Sequence, residues 1–130
     1  MSTKIDEAEN DADKFALMVL HYSHNAEHYL KEKDYQKASE MMWGAMSCVI
    51  KAKAAKKKRT IESHRGLWKY VGELAEQEKN KEIYESFSKA STLHTNFYES
   101  NLDPRIMVEM AREIARTVGR LMLEMKYRAP

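Results

Sequence analysis

The sequence predicts an all-α protein, an up-and-down bundle of four long helices and one shorter helix forming one domain over residues 1–130. Three observations point there. Gly and Pro number only 4 and 2, and β-branched residues are scarce, which favours helix over sheet. Apolar residues recur at helical spacing along five segments that are separated by short polar turns. The third observation is the stretch ASEMMWGAMSCVIKAKAA, residues 38–55, which is apolar or small almost without interruption from Met41 to Ile50. A helix that is apolar nearly all round needs cover on every side, so this one is expected at the centre.

The first helix is expected over residues 5–32, with Ala8, Ala12, Phe15, Ala16, Val19, Tyr22, Ala26 and Leu30 on its apolar face. Asp6, Glu7, Glu9, Asp11 and Asp13 crowd its N-terminal turns, where the helix dipole favours negative charge. Asp34 is placed to cap the second, central helix over residues 35–57. Gly44, Ser47 and Cys48 leave narrow spots on it for a close neighbour, beside the bulk of Met41, Met42, Trp43 and Met46. Ser63 then caps a third helix whose apolar face carries His64, Leu67, Trp68, Val71, Leu74 and Ala75. The fourth turns Ile83, Phe87, Ala90, His94, Phe97 and Tyr98 inward and stops near Asn101. Asp103 followed by Pro104 is an N-cap with proline at the first helical position. The fifth helix follows, with Ile106, Met107, Met110, Ile114, Val118, Leu121, Met122 and Met125 inward.

A chain of 130 residues can bury roughly two thirds of its unfolded surface in one core. Its 43% hydrophobic content is too high for a disordered chain. No apolar run approaches the ~20 residues that span a bilayer, and the acidic N-terminus lacks the order of a signal peptide. No membrane partner is expected, and the cytoplasm is the expected compartment. Cys48, the single cysteine, agrees with that and excludes an internal disulfide.

A net charge of +2 does not announce a nucleic-acid binder, but its distribution is uneven. Lys51, Lys53, Lys56, Lys57, Lys58 and Arg59 fall within residues 51–59 with no acid among them. The negative end of the second helix dipole accounts for part of this run. Six positive charges exceed what capping requires.

His21, His24 and His28 project from one side of the first helix and could share a zinc or nickel ion. That side lies opposite the apolar stripe, and no acid or Cys at ligand spacing completes the set, so a polar face is expected and no metal or cofactor. Arg59, His64 and Arg65 sit together at a loop-to-helix junction. An Arg beside a neutral His is the minimum for metal-independent RNA cleavage by the 2′-hydroxyl. A more modest arrangement is an anion site made from backbone N–H groups at the helix start with Arg59 and Arg65. With Lys56, Lys57 and Lys58 these residues form a basic, phosphate-binding corner. Arg112, Arg116 and Arg120 make a further stripe that Glu109 and Glu113 can pair with along the same helix. No Gly-rich phosphate loop, Ser-His-Asp set, CxxC or HExxH is present, which counts against the enzyme classes those motifs mark.

At SEMMWGAMSCVIKA, SHRGLWKYV and LHTNFYESNL the chain resembles the archaeal paralogous-repeat (PaREP) family of small helical proteins, over about residues 10–125. That family resembles in turn the HEPN superfamily, whose bundle also serves as the substrate-binding subunit of minimal nucleotidyltransferases. The resemblance implies a HEPN-like bundle that dimerises and that binds RNA, a nucleotide or a nucleotidyltransferase partner protein. HEPN ribonucleases carry an Arg followed a few residues later by a His, an order that Arg59 and His64 share; the residue after the Arg here is Thr60.

The expected function is therefore a non-catalytic binding module that offers Lys56, Lys57, Lys58, Arg59 and Arg65 to a phosphate-bearing partner. The apolar surplus on the central helix adds an expected homodimer. Two alternatives stand beside it: a toxin–antitoxin type endoribonuclease using Arg59 and His64, and a purely structural interaction protein.

Overall fold

Among the described residues five helices form where the periodicity places them: α1 (Lys4–Lys31), α2 (Tyr35–Lys56), α3 (His64–Gln77), α4 (Lys81–Glu99) and α5 (Pro104–Glu124). The computed structural model describes residues 4–99 and 102–126, with side chains over 11–95 and 102–126. No strand occurs among the described residues. The expected inward side chains of Ala8, Phe97 and Tyr98, the side chains of the acids Asp6, Glu7 and Glu9, and the helix end at Asn101 lie outside what is described.

Local chemistry sets the helix boundaries. Asp34 accepts the Lys37 N–H at 3.3 Å, Ser63 accepts the Gly66 N–H at 2.9 Å, and Asp103 accepts the Arg105 N–H at 2.8 Å ahead of Pro104. Each side chain satisfies one of the donors that a helix start leaves without an internal partner. Asn80 does the same for α4, accepting from Glu82 N–H at 3.0 Å. The C-terminal ends are less usual. Lys33, Lys58, Lys79 and Lys126 hold left-handed φ angles of 60°, 63°, 50° and 68°, the place where glycine is the common residue. After α2 the N–H of Lys58 reaches Ala55 O and that of Arg59 reaches Ala54 O, both at 2.9 Å, closing the helix on itself.

α2 runs through the middle, and α1, α3, α4 and α5 all pack on it, α1 most extensively. Ala38, Met42, Ala45, Met46, Cys48, Val49, Ile50 and Ala52 are buried along it. The core they form continues into Val19 and Ala26 of α1, Leu67, Tyr70, Val71 and Leu74 of α3, Ile83, Phe87 and Leu93 of α4, and Met107, Ile114 and Leu121 of α5. No helix among the described residues is long and apolar enough to cross a membrane. Burial pushes the Cys48 thiol above its ordinary range, with Lys51 opposing.

Gly44 marks the tightest approach to α2. A Cβ there would lie 2.7 Å from Cδ1 and 2.9 Å from Cγ of Tyr22, so α1 rests its ring on the bare backbone. Lys53 is the opposite case, a charge inside the bundle. It is 9% exposed, and its Nζ donates to Glu78 at 3.3 Å and Glu124 at 3.1 Å, tying the end of α2 to the ends of α3 and α5. It therefore leaves the surface basic run to which the sequence assigns it.

Three expectations about α5 and α2 are corrected. Ile106 is 52% exposed rather than inward, because its position in the first turn falls beside the buried Met107 rather than under a neighbouring helix. Among the described residues Glu113 and Arg120 of the α5 stripe pair across to α4, Glu113 with Lys89 and Arg120 with Glu82, rather than with one another. Below them Ser86 and Thr117 share a buried hydrogen bond of 2.6 Å, and Thr117 also donates to Glu82 at 3.2 Å. The apolar surplus that motivates a dimer is not on α2, whose apolar surface is covered within one chain. The large apolar side chains left in water lie elsewhere, chiefly Leu17 and Met18 on α1 and Ile106 and Leu123 on α5.

Two outcomes follow from this packing. Gly44→Ala is expected to destabilise the fold, since overpacking costs about 1–3 kcal/mol and the helix propensity of alanine returns only about 1 kcal/mol. Gly119→Ala, where an added Cβ meets nothing within 4 Å, is expected to stabilise by about 0.5–1 kcal/mol; urea midpoints for the two variants should move in opposite directions. The Glu82 carboxyl is held below its usual range, first by the Arg120 hydrogen bond and then by Arg120 charge and Thr117. Its contribution is thus present above the unfolded carboxyl pKa and lost as pH falls through the folded value. Wild type should exceed Glu82→Gln in stability at pH 7, by under about 1 kcal/mol for so exposed a pair, and the gap should close toward pH 3.

Candidate functional site

The turn from α2 to α3 carries the basic corner. Lys56, Lys57, Lys58, Arg59 and Arg65 are all exposed on it, with Glu62 the one carboxylate in residues 56–65. α2 ends here in the tight closure at Lys58, and α3 starts at Ser63, whose extended backbone and side-chain cap leave the N–H groups of His64 and Arg65 at the exposed helix start. Arg59 is the member that is already engaged. Its guanidinium lies 4.7 Å from the Tyr70 ring centroid and donates to Glu73 Oε2 at 3.0 Å. Among the described residues no acid is paired with Lys57, Lys58 or Arg65.

The partners of Arg59 lie further along α3 than His64. Glu73, which holds Arg59, is nine residues beyond His64 on α3, or about 13 Å along the axis. His64 is exposed rather than inward on the apolar face. At the first position of α3 it meets only the edge of the core, beside Trp43 of α2. Its Nε2 accepts the indole N–H of Trp68 at 3.2 Å, which leaves Nδ1 carrying the proton of the neutral ring.

That bond joins His64 to an aromatic cluster that no spacing pattern announced. Trp43 of α2 stacks on His94 at 5.1 Å and 25°, and lies 5.4 Å from His64 and 5.3 Å from Phe87. Trp68 meets Phe87 edge-on at 4.5 Å. His94, expected as a core residue, is half-buried and bonds Glu40 through Nδ1 at 2.8 Å. The rings thus pin α2, α3 and α4 together beside the corner.

Beneath the corner opens a cleft of about 220 Å³ lined by Trp43, Ser47, Lys51, Glu62, Ser63 and His64, among others. Ser47 is buried and its Oγ has no hydrogen-bond partner, a state that costs about 1–3 kcal/mol for a buried polar group. The Tyr70 hydroxyl is likewise buried without a partner, and burial pushes its pKa up while Arg59 pulls it back. Sequence reasoning passed over Ser47 and Lys51 as parts of a core helix and a lysine run. The signal that was there is the four-residue spacing of Trp43, Ser47 and Lys51, which puts a hydroxyl and an ammonium on one ladder of an apolar helix.

His21, His24 and His28 are exposed on α1. His21 contacts Asn25 at 3.2 Å and His28 pairs with Glu32 at 3.1 Å. Among the described residues no group of three His, Cys, Asp or Glu is gathered closely enough to hold a metal ion. A second, more apolar groove of about 500 Å³ lies between α1 and α5 over Met42, with Leu30 and Val108 on its sides and Arg112 at its edge.

The family model described as the archaeal PaREP1/PaREP8 family matches residues 15–118. The chain belongs to that family. Neither a curated protein nor a solved structure matches it. Within this PaREP1/PaREP8 chain the matched span contains all of α2, α3 and α4, and so both the corner and the cleft beneath it.

Proposed function

We propose that this PaREP1/PaREP8 protein is a non-catalytic binding module that offers the α2–α3 corner to phosphate groups of an RNA or a nucleotide. One observation carries the reading: Lys56, Lys57, Lys58 and Arg65 are exposed on a single turn, at the start of α3, with Glu62 as the one nearby acid of the turn. A helix start favours anions through its dipole and its unused N–H groups, and lysine and arginine add charge that releases counterions when phosphate arrives. Lys53 adds nothing to this surface, because Glu78 and Glu124 neutralise it inside the bundle. Arg59 is engaged by Tyr70 and Glu73 and does not line the cleft that His64 lines, which supports binding over cleavage. Self-association, which the sequence also leads one to expect, would draw on Leu17 and Met18 of α1 and Ile106 and Leu123 of α5. Light scattering at micromolar concentration reads it as a mass of twice 15.2 kDa.

Fluorescence anisotropy with a short labelled single-stranded RNA tests the binding. Four phosphate contacts give a slope of log affinity against log salt near −3, about 0.7 for each contact. Lys57→Ala with Lys58→Ala should reduce that slope by about 1.4 and leave the melting temperature nearly unchanged. Glu73→Gln, which releases Arg59 from its carboxylate, should strengthen binding. No binding at low salt overturns the proposal.

A further inference from the structure

Ser47 sits on α2 four residues after Trp43 and four before Lys51, 7% exposed, with its hydroxyl unsatisfied. A helical serine commonly returns its hydroxyl to the carbonyl four residues back, as Ser39 does to Tyr35 O at 2.8 Å. Ser47 makes no such bond. It lines the cleft beneath the basic corner instead, with Lys51, His64 and the start of α3.

The polar groups of this cleft are mostly donors. Ser47 brings a hydroxyl, and Lys51, also on α2, lines the cleft with an ammonium that rests 6.0 Å from the Phe15 ring centroid of α1 and can donate to an arriving anion. His64 spends Nε2 on Trp68 and keeps Nδ1–H to donate. The N–H groups of His64 and Arg65 belong to the first turn of a 14-residue helix, whose dipole favours an anion. The Ser63 hydroxyl already accepts from Gly66, and Glu62, exposed at the mouth, is an acceptor suited to a sugar hydroxyl rather than to a phosphate. A site so rich in donors suits a compact ligand rich in acceptors. Its size narrows the choice: pockets for drug-sized ligands run from about 300 to 1,000 Å³, whereas this one holds about 220 Å³. A phosphate with part of a sugar fits, and a whole nucleotide does not.

The geometry points to a subsite for a terminal phosphate monoester, in which the Ser47 hydroxyl, Lys51, His64 and the α3 start receive the phosphorylated end of the partner bound by the corner. A monoester carries nearly two negative charges and three acceptor oxygens, more than an internal diester offers, and as a chain end it needs no room for a chain continuing beyond it. This inference rests on the reading of the corner as a phosphate-binding surface and names which phosphate that surface selects.

Anisotropy at low salt with one RNA sequence prepared with a 5′-phosphate, a 3′-phosphate or hydroxyls at both ends tests it. One phosphorylated form is expected to bind at least tenfold more tightly than the hydroxyl form, and ribose 5-phosphate, unlike ribose, should compete for the difference. Ser47→Ala is expected to erase most of that preference while keeping or raising the melting temperature, because it removes an unsatisfied hydroxyl rather than a packing group. Lys51→Gln, at a half-buried position, should lower the preference further and supplies a second variant. Equal binding of all three RNAs overturns the inference and leaves the corner intact. A preference that survives both substitutions also overturns it. If no RNA binds, the corner reading falls, and calorimetry with ribose 5-phosphate on the wild type decides the subsite: heat that Ser47→Ala abolishes sustains it, and silence ends it.

Discussion

A helix without a polar side is the constraint from which the rest of this structure follows. From Met41 to Ile50, α2 offers water almost nothing to bond, so each of its faces needs a neighbour. Four helices supply them. Gln36, Lys37 and Lys56 near its ends reach water, whereas a buried polar group on α2 must either find a partner inside or go without one. Lys53 finds Glu78 and Glu124, Ser39 finds a carbonyl, and Ser47 finds nothing. The same burial makes Gly44 indispensable to α1, whose Tyr22 ring occupies the space of the absent side chain.

The corner owes its character to where α2 stops. An apolar helix cannot carry a charged sequence through the core, so the lysines gather where the chain emerges. There two helix ends of opposite polarity meet within a few residues: the carbonyl end of α2, which attracts cations, and the amide start of α3, which attracts anions. Lys56 to Lys58 answer the first, and their charge also extends the reach of the second. Arg59 leaves this group because Tyr70 and Glu73 offer it a platform and a carboxylate along α3.

Much of the fold was legible because its determinants are local. Asp34, Ser63 and Asp103 act on donors two or three residues away, and an inward residue such as Ile114 is marked by its own helical phase. What escaped depends on partners distant in the chain. Helical phase put Ile106 and His64 inward, but which side of a first turn is covered depends on where the neighbouring helices pass: Met107 and Leu67 are buried in those same turns, while Ile106 and His64 stay exposed. The pairing of Glu113 with Lys89 rather than with its own helix needs the approach of α4 and α5. The burial of Lys53 needs three helix ends to meet. The candidate site divides in the same way: its charges are plain in the sequence, whereas the cleft under them needs Trp43, Ser47 and Lys51 of α2 to meet the turn and start of α3 from Ile61 to Leu67. The four-residue ladder from Trp43 to Lys51 was the visible trace of that cleft.

The lysines that close four helices in the left-handed conformation place a cation beside each set of terminal carbonyls and accept a backbone shape that costs a residue with a side chain. Solubility and conformational comfort are thus set against each other at the same four positions. Exchanging all four for glycine would relax the chain and carry its formal charge from +2 to −2. A relative adapted to greater heat by that route would arrive with its surface polarity inverted, and with a weaker pull on any polyanion it serves.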